Sequence, residues 1–320
     1  MKPIICLMGP TASGKTGLAV ELAKQLDGEV ISVDSALVYR GMDIGTAKPT
    51  AKEQQGIPHH LLDIIDPSES YSVSAFRDDA MALIKDITAR GKQPILAGGT
   101  MLYFRGLLSN LAPLPPAQAE LRADLERRGE QKGWASLHAE LTRLDPDAAA
   151  GIHPNNRQRL VRALEVCLST GQPLSALWQE KAPMLPAGEV APDFPWPVAQ
   201  FAVQPLERTT LHQRIEQRFD AMLAQGFEAE VRALYERGDL HVNHPSIRCV
   251  GYRQMWDYIS GNLSWDEMRA QGLAATRQLA KRQLTWLRGW RNLTSFDTLS
   301  PNLRAEVVAR LNEITRQDYV

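Results

Sequence analysis

The chain has 320 residues, of which 44% are hydrophobic and 23% are charged, so it is long enough for one large domain or for a core domain with a smaller one. Its 36 lysines and arginines nearly balance its 37 acidic residues, and the net charge of −1 gives no overall attraction to a polyanion, so any nucleic-acid surface must come from local clustering. Three cysteines without a C-x-x-C spacing, no signal-peptide pattern and no apolar run of about 18 residues predict a soluble, cytoplasmic protein with no membrane partner, disulfide framework or cysteine-based metal site.

The first predicted element is a buried parallel strand, Ile4–Met8, which leads into a glycine-rich loop. Residues 9–16 match the pattern G-x-x-x-x-G-K-[ST] at every fixed position, and leucines four residues apart predict an amphipathic helix over Gly14–Leu26. Because strand and helix both flank the motif, a chance match is a poor explanation. We expect the loop amides to bind a phosphate or diphosphate, the Lys15 ammonium to reach its oxygens and the Thr16 hydroxyl to bind Mg²⁺. The predicted diphosphate-binding residues are Gly9, Pro10, Thr11, Ala12, Ser13, Gly14, Lys15 and Thr16.

Strands and helices continue to alternate along the first hundred residues. Glu29–Val33 is predicted to be a strand, Phe76–Ala89 a helix and Pro94–Ala97 another strand. This alternation predicts a parallel sheet with helices on both faces, in which ligands bind at the C-terminal ends of the strands. The glycine-rich loop, Asp34 and Thr100 all follow predicted strands, so we expect them to converge.

Asp34 and Thr100 each have two interpretations. Asp34 could act as a general base or hold Mg²⁺ through water, or it could cap a helix, and its position weighs equally for either role. Thr100 follows Gly98-Gly99 and, taken alone, is better explained as the cap of a strand-to-helix turn than as a hydroxyl of the site.

The character of the chain changes after the proline-rich segment Pro113–Pro116. Helical patterns run from Ala119 to about Lys181, five prolines in residues 183–197 indicate a connector, and Ala199–Val203 is typical of a returning strand. The predicted fold class is α/β, with a P-loop-type parallel sheet core, flanking helices and a helical insertion domain. The core would comprise residues 1–116 and 198–320, and the insertion residues 117–197.

Two basic segments contain no acidic residue. His153–Arg162 has three arginines, and Arg277–Arg291 has five basic residues with Trp286 and Trp290 between them. Arginine and aromatic side chains suit RNA, so we interpret the uncompensated charges as a nucleic-acid surface. Core packing explains the two tryptophans better.

Arg214 and Arg218 could reach the phosphate, or they could form a salt-bridged helix face with Glu216 and Asp220. Apart from Val30–Asp34, no apolar strand ends in an aspartate that would clearly serve as a Walker-B ligand, and there is no compact arginine-rich lid. This predicts a polyphosphate pocket with little ATPase machinery. A diphosphate that leaves as a unit would need only the loop, one Mg²⁺ and a few cations.

Seven segments, in their joint order, resemble the tRNA dimethylallyltransferase family, also called tRNA isopentenyltransferase. They are Gly9–Thr16, Asp34–Tyr39, Gly41–Pro49, Gly98–Thr100, His153–Glu165, Leu211–Glu230 and Arg277–Trp290. The resemblance runs nearly end to end, and residues 183–197 are its least typical part. It implies transfer of a dimethylallyl group from dimethylallyl diphosphate to the exocyclic N6 of the adenosine just 3′ of the anticodon (tRNA position 37), in tRNAs that read codons beginning with U. The implied products are N6-dimethylallyladenosine and diphosphate, with Mg²⁺ as cofactor.

The resemblance also implies roles for individual residues. Asp34 would take the N6 proton, and Lys15 with the loop amides would stabilise the leaving diphosphate. Thr16 would help to hold Mg²⁺, and Thr100 would bond near the bridging oxygen. Arg218, with Arg214 as the less favoured choice, would add positive charge at the phosphate.

The implied partners are a tRNA anticodon stem-loop and dimethylallyl diphosphate, and we expect a monomer. The residues expected against the RNA, by the resemblance or as basic groups beside it, are Asp34, Ser35, Ala36, Leu37, Thr100, Arg122, Arg157, Gln158, Arg159, Leu160, Val161, Arg162, His241, Val242, Asn243, His244, Pro245, Ser246, Arg277 and Lys281. Two alternatives stand beside this reading: an ATP-dependent small-molecule kinase of P-loop type, and a non-catalytic RNA-binding module that keeps the loop for folding.

Overall fold

The computed structural model describes residues 2–109, 114–115, 117–180 and 185–317, and the strands in these ranges form one parallel sheet. The strands are Ile4–Met8 (β1), Gly28–Val33 (β2), His59–His60 (β3), Gln93–Gly98 (β4), Val198–Gln204 (β5) and Thr294–Asp297 (β6). Their order across the sheet is β3-β2-β4-β1-β5-β6, and each pairing is parallel. The four strands predicted from apolar runs are confirmed, and β3 and β6 are added at the edges.

Helices connect and flank these strands. In chain order they are Lys15–Leu26 (α1), Ala51–Gln54 (α2), Val73–Ala89 (α3), Met101–Leu108 (α4), Ala119–Lys132 (α5), Trp134–Leu144 (α6), Pro146–Ala150 (α7), Arg157–Thr170 (α8), Leu174–Glu180 (α9), Arg208–Ala224 (α10), Phe227–Glu236 (α11), Tyr252–Ile259 (α12), Trp265–Arg288 (α13) and Leu303–Gln317 (α14). Within the ranges given above, no helix is long and apolar enough to cross a membrane.

β1 lies inside the sheet and is fully buried because helices cover both faces. On one face Ile5 belongs to a cluster that includes Leu22 of α1. On the other face Cys6 belongs to a cluster with Phe76 of α3 and Phe104 of α4. Burying each such side chain contributes about 1.5–3 kcal/mol. The predicted layering and the core position of Cys6 are confirmed, and burial raises the pKa of its thiol.

The chain divides into two compact units, residues 1–108 with 186–320, and residues 109–185. The second boundary differs from the predicted one at residue 197, because the connector is bonded into the larger unit. The Gly188 carbonyl accepts Gln200 Nε2 at 2.8 Å, and the Ala191 N–H donates to the Leu108 carbonyl at 2.7 Å. Three prolines used for the predicted breaks, Pro113, Pro116 and Pro183, lie outside the described residues, as does Lys181.

The elements that the structure describes in the smaller unit are all helices, as the sequence pattern predicted. It comprises α5 to α9. Its own apolar core includes Leu125 of α5, Leu141 of α6 and Leu164 of α8, each fully buried. The unit therefore has a core of its own, separate from the clusters that cover the sheet.

Candidate active site

A cavity of about 580 Å³ lies at the C-terminal ends of β1, β2 and β4. Its lining includes Lys15 and Thr16 of the glycine-rich loop, Asp34, Thr100 and Arg218. All of these residues belong to the larger unit. The sequence expectation that the turns after these strands converge is therefore met.

The glycine-rich loop folds tightly around its own lysine. A Cβ at Gly9 would lie 2.3 Å from the Val203 carbonyl oxygen, so this position requires glycine. Lys15 Nζ donates to the Pro10 carbonyl at 2.6 Å and to Ser13 Oγ at 3.3 Å. The ammonium thus lies inside the loop, at the start of α1, where the helix dipole adds partial positive charge.

Lys15 shares the cavity with a second cation. Burial, together with the charge of Arg218, lowers the pKa of Lys15 to about 7, although Asp34 acts in the opposite direction. Burial also lowers the pKa of Arg218. Two desolvated cations side by side are stabilised by an anion, so the cavity suits a ligand with several negative charges.

Asp34 leads out of β2 into a turn, not into a helix. Its Oδ1 accepts the Ala36 N–H at 2.8 Å, and the next helix begins only at Ala51. The helix-capping interpretation is therefore wrong, because this carboxylate closes a local turn while it lines the cavity.

Thr100 joins the turns that follow β2 and β4. Its hydroxyl accepts the Ser35 N–H at 3.1 Å, and its own N–H donates to the Val33 carbonyl at 3.2 Å. Its carbonyl accepts the Tyr103 N–H at 2.9 Å as α4 begins. Thr100 therefore occupies the strand-to-helix turn, as its sequence position suggested, and also places its hydroxyl beside Ser35 in the cavity wall.

Arg218, and not Arg214, is among the residues that line the cavity. Its Nη2 donates to the Thr46 carbonyl at 3.1 Å, which ties the guanidinium to another residue of the cavity lining. The alternative of a salt-bridged α10 face around these arginines is wrong, because both acids of that face, Glu216 and Asp220, pair with Arg269 of α13.

The segment Gly41–Pro49 folds around the carboxylate of Glu230, which sequence reasoning did not single out. Glu230 accepts the Tyr252 hydroxyl and three successive backbone N–H groups, at 2.8, 2.7 and 3.0 Å, from Asp43, Ile44 and Gly45. The next residue, Thr46, is the one that Arg218 contacts. Glu230 therefore supports the wall against which Arg218 lies.

Gln283 of α13 also lines the cavity and was missed. The sequence carries one weak signal for it: a polar residue within the buried stripe that contains Ala280 and Leu287. Arg248 and Arg282 are two further lining cations, and both are exposed.

Comparison with known proteins identifies the family. A family model described as IPP transferase matches residues 37–290. The chain belongs to this family. The resemblance that the seven sequence segments indicated is thereby confirmed.

Solved structures of IPP transferases agree. The chain is similar to the full-length tRNA isopentenylpyrophosphate transferase of Bacillus halodurans, with 39% identity and a TM-score of 0.71 over 100% of both chains. A tRNA delta(2)-isopentenylpyrophosphate transferase of Staphylococcus epidermidis matches with 37% identity and a TM-score of 0.68, over 99% of this chain and 100% of that one. A eukaryotic dimethylallyltransferase acting on tRNA matches with 27% identity and a TM-score of 0.81, over 99% of this chain and 80% of that one. The predicted fold class is confirmed.

In this IPP transferase the basic segment of α13 is partly neutralised by distant acids. Arg277 pairs with Glu216 at 3.2 Å, and Arg291 pairs with Glu189 of the connector. The inference that no acid compensates these charges is therefore wrong for both arginines. Lys281 remains exposed and, within the described residues, is in no ion pair, so its predicted RNA contact stands as a prediction.

The two tryptophans of α13 and its end pack as expected. Trp290 is buried, and its Nε1 donates to Gln200 Oε1 at 2.7 Å. Trp286 is half-buried, packs against the same core cluster and reaches the cavity wall.

The predicted RNA-facing segment 241–246 is exposed at one end and buried at the other. His241 and Asn243 are exposed, and Pro245 lines the cavity. Ser246 is fully buried and donates to the Pro67 carbonyl at 2.6 Å. Its hydroxyl therefore has an acceptor within the protein and is not accessible to RNA. Val242 and His244 are half-buried.

In the smaller unit, α8 divides the predicted RNA contacts by burial. Arg157, Gln158 and Arg159 of its first turn are exposed. Leu160 and Val161 are core residues, so their side chains cannot contact RNA.

Arg122 and Arg162 of this unit are not free charges. Both bond to the fully buried Glu165, through Arg122 Nε at 2.9 Å and Arg162 Nη1 at 2.6 Å, and Arg162 also donates to the Pro115 carbonyl at 2.7 Å. An RNA phosphate would therefore have to compete with Glu165 for these two guanidinium groups.

Proposed function

We propose that this protein transfers a dimethylallyl group from dimethylallyl diphosphate to the exocyclic N6 of the adenosine just 3′ of the anticodon, in tRNAs that read U-initial codons. One observation carries the proposal: Lys15, Asp34, Thr100 and Arg218 line a single cavity. Family membership and the tRNA substrates in the names of similar structures support it. The products are N6-dimethylallyladenosine and diphosphate.

Asp34 is the base in the proposed reaction. The N6 lone pair of adenine is delocalised into the ring, so the amine must be oriented and must lose a proton as it attacks. The new C–N bond forms at the carbon that bears the diphosphate, the C–O bond breaks, and the N6 proton passes to the Asp34 carboxylate. A positioned general base contributes about 10²–10⁴-fold to such a step.

The glycine-rich loop stabilises the leaving group. Negative charge grows on the bridging oxygen as the C–O bond breaks, and Lys15 with the loop N–H groups is placed to stabilise it. Thr100 can donate its hydroxyl near that oxygen, and Arg218 adds a second positive charge beside Lys15. One donor aimed at developing charge is worth about 3 kcal/mol.

The oxygen donors of the cavity fit Mg²⁺, which is the cofactor we propose. Magnesium prefers hydroxyl, carboxylate and phosphate oxygens and keeps several waters. Thr16 is the residue that would hold it, and Asp34 lines the same cavity. When bound, the ion would neutralise charge on the diphosphate.

RNA binding has two requirements. The target base must leave its stack and enter the cavity, and cations outside the cavity must contact the RNA backbone. A stacked base leaves its neighbours at a cost of a few kcal/mol. Arg159, Lys281 and the exposed residues of 241–246 are our candidates for contacts to the tRNA anticodon stem-loop. We further propose a cytoplasmic monomer.

A transfer assay tests the proposal. The purified protein is incubated with labelled dimethylallyl diphosphate, Mg²⁺ and tRNA, and ATP hydrolysis is measured in parallel. We expect label in tRNA and no ATP turnover. ATP turnover without prenyl transfer would favour the P-loop kinase, and RNA binding with neither activity would favour the non-catalytic module.

A further inference from the structure

Gln283 connects two turns of the active-site wall that come from different strands. Its Oε1 accepts the Thr11 N–H at 2.9 Å, and its Nε2 donates to the Gly99 carbonyl at 2.9 Å. Thr11 belongs to the glycine-rich loop after β1, and Gly99 lies directly before Thr100 in the turn after β4. One side chain of α13 therefore bridges the diphosphate loop and the turn that carries Thr100.

The side-chain amide of Gln283 is buried and closely packed. Gln283 is 8% exposed, so an amide with unmade hydrogen bonds would be costly there. A Cβ at position 99 would lie 2.3 Å from Nε2, so the close approach depends on Gly99. Gln283 also engages a backbone N–H of the loop, which fixes that part of the loop independently of any ligand.

The bridge extends to the base side of the cavity. Thr100 Oγ1 accepts the N–H of Ser35, the residue next to Asp34. The order of contacts is thus glycine-rich loop, Gln283, Gly99-Thr100, and the turn of Asp34. The first member faces the leaving diphosphate, and the last carries the proposed base.

We propose that Gln283 is a positioning residue that sets the distance between the leaving diphosphate and the adenine amine. The inference rests on the proposed function, because it concerns the alignment of that displacement. A misplacement of about 1 Å can cost about a hundredfold in rate. In the proposed role Gln283 contacts neither reacting atom and acts through the two turns that it joins.

The main test replaces Gln283 with methionine, which keeps the length of the side chain and removes both hydrogen bonds. We expect Gln283→Met to lower kcat for prenyl transfer by about tenfold to a hundredfold, with little change in the KM for tRNA. A merely structural role would lower the melting temperature without this separation of kcat from KM.

Gln200 offers a matched control. It is a buried amide in the same unit, 4% exposed, whose Oε1 accepts Trp290 Nε1 at 2.7 Å and whose Nε2 donates to the Gly188 carbonyl at 2.8 Å. It does not line the cavity. Gln200→Met should therefore lower the melting temperature in the same way as Gln283→Met and leave kcat at the wild-type value.

A second variant reaches the same bridge from its other end. Gly99→Ala places a methyl group against Nε2, so it should reduce kcat as Gln283→Met does while the glutamine is still present. Combining Gly99→Ala with Gln283→Ala removes the clash with Nε2 and leaves a contact of 3.3 Å between the new Cβ and the Gly9 carbonyl oxygen, so the double variant should be nearly as fast as Gln283→Ala alone. If Gln283→Met does not fold, the kcat of Gly99→Ala tests whether the bridge positions the two turns.

Unchanged kcat in Gln283→Met, or in Gly99→Ala, overturns the inference. So does an equal loss of kcat in Gln200→Met. Lack of prenyl transfer by the wild-type protein would instead overturn the proposed function, so the two failures are distinguishable.

Discussion

At the scale of single residues, Asp34 combines a structural contact with the proposed chemistry. Its Oδ1 closes the turn to Ala36 at 2.8 Å, and asparagine would keep that acceptor while it could no longer take a proton. We predict that Asp34→Asn lowers kcat by about 10²–10⁴-fold and leaves tRNA affinity and melting temperature near those of the wild type. Steady-state transfer of labelled dimethylallyl groups measures kcat, filter binding measures tRNA affinity, and calorimetry measures the melting temperature.

Asp66 supplies the control for this variant. It closes a similar turn, with Oδ1 accepting the Ser68 N–H at 2.9 Å, but it pairs with Arg237 and does not line the cavity. Asp66→Asn should keep its kcat. Wild-type turnover in Asp34→Asn would show that the carboxylate is not the base.

Lys15 should make the proposed binding of diphosphate depend on pH. Its pKa of about 7 in the folded protein lies below the ordinary value of 10.5. Between pH 7 and pH 10.5 the unfolded chain therefore binds more protons at this group than the folded chain does. Through this group, the stability of the ligand-free protein therefore rises as the pH increases from about 7 to about 10.5. A bound anion favours the charged ammonium, so binding above pH 7 should take up a proton and weaken as the pH rises.

Calorimetry at pH 8 tests this coupling. Titration of Mg²⁺ and diphosphate in buffers of different ionisation enthalpy gives the number of protons taken up. We expect the wild type to take up about one proton more than Lys15→Met for each diphosphate bound. Equal uptake by the two proteins would contradict the lowered pKa.

At the scale of elements, the sequence predicts what is repetitive and buried. The four inner strands could be read from short apolar runs because both faces of the sheet are covered. β3 is the pair His59–His60 and β6 is the short segment Thr294–Asp297, and neither has an apolar run long enough to signal a strand. Edge strands of this kind are set by pairing with a neighbour, which a local pattern does not contain.

Helix α13 shows why the site was only partly predictable. Its sequence lacks acids from Arg277 onward, yet Arg277 meets Glu216 of α10. Gln283 bonds to residues that lie more than 180 positions away in the chain. Motifs that keep fixed spacing, such as the glycine-rich loop, are visible in a sequence, whereas pairings between distant elements are not.

Glu230 of α11 gives a prediction for the loop that supports Arg218. Three backbone N–H groups and the Tyr252 hydroxyl share its carboxylate. Glu230→Ala should lower the free energy of unfolding by about 3 kcal/mol, because these donors lose their acceptor, and it should also weaken diphosphate binding through Arg218. Urea unfolding and calorimetry measure the two effects.

Glu228, one half-turn earlier on α11, is the matched control. It pairs with Arg232 at the surface, where an i,i+4 ion pair is worth about 0.3–0.5 kcal/mol. Glu228→Ala should therefore change stability by less than about 0.5 kcal/mol and leave binding unchanged. Equal stability losses in the two variants would rule out the special role of Glu230.

At the scale of the whole molecule, the proposed chemistry and part of the proposed RNA binding belong to different units. Every residue that lines the cavity lies in the larger unit, and the exposed basic turn of α8 lies in the smaller one. Each unit has its own apolar core. Substitutions on α8 and in the cavity should therefore affect different steps.

The exposed Arg159 and the cavity residue Lys15 make this separation measurable. We predict that Arg159→Ala weakens tRNA binding and reduces the slope of log affinity against log salt by about 1, while kcat at saturating tRNA and the affinity for diphosphate stay at wild-type values. Lys15→Met should lower kcat and the affinity for diphosphate and leave tRNA binding and its salt slope unchanged, since it removes a proposed diphosphate contact and no tRNA phosphate contact. Arg127→Ala, which removes an arginine that already pairs with Asp124 of the same unit, serves as the control and should leave the salt slope unchanged. If Arg159→Ala also keeps the wild-type slope, α8 does not contact the RNA backbone, and the electrostatic binding must come from the larger unit, with Lys281 as the first residue to substitute.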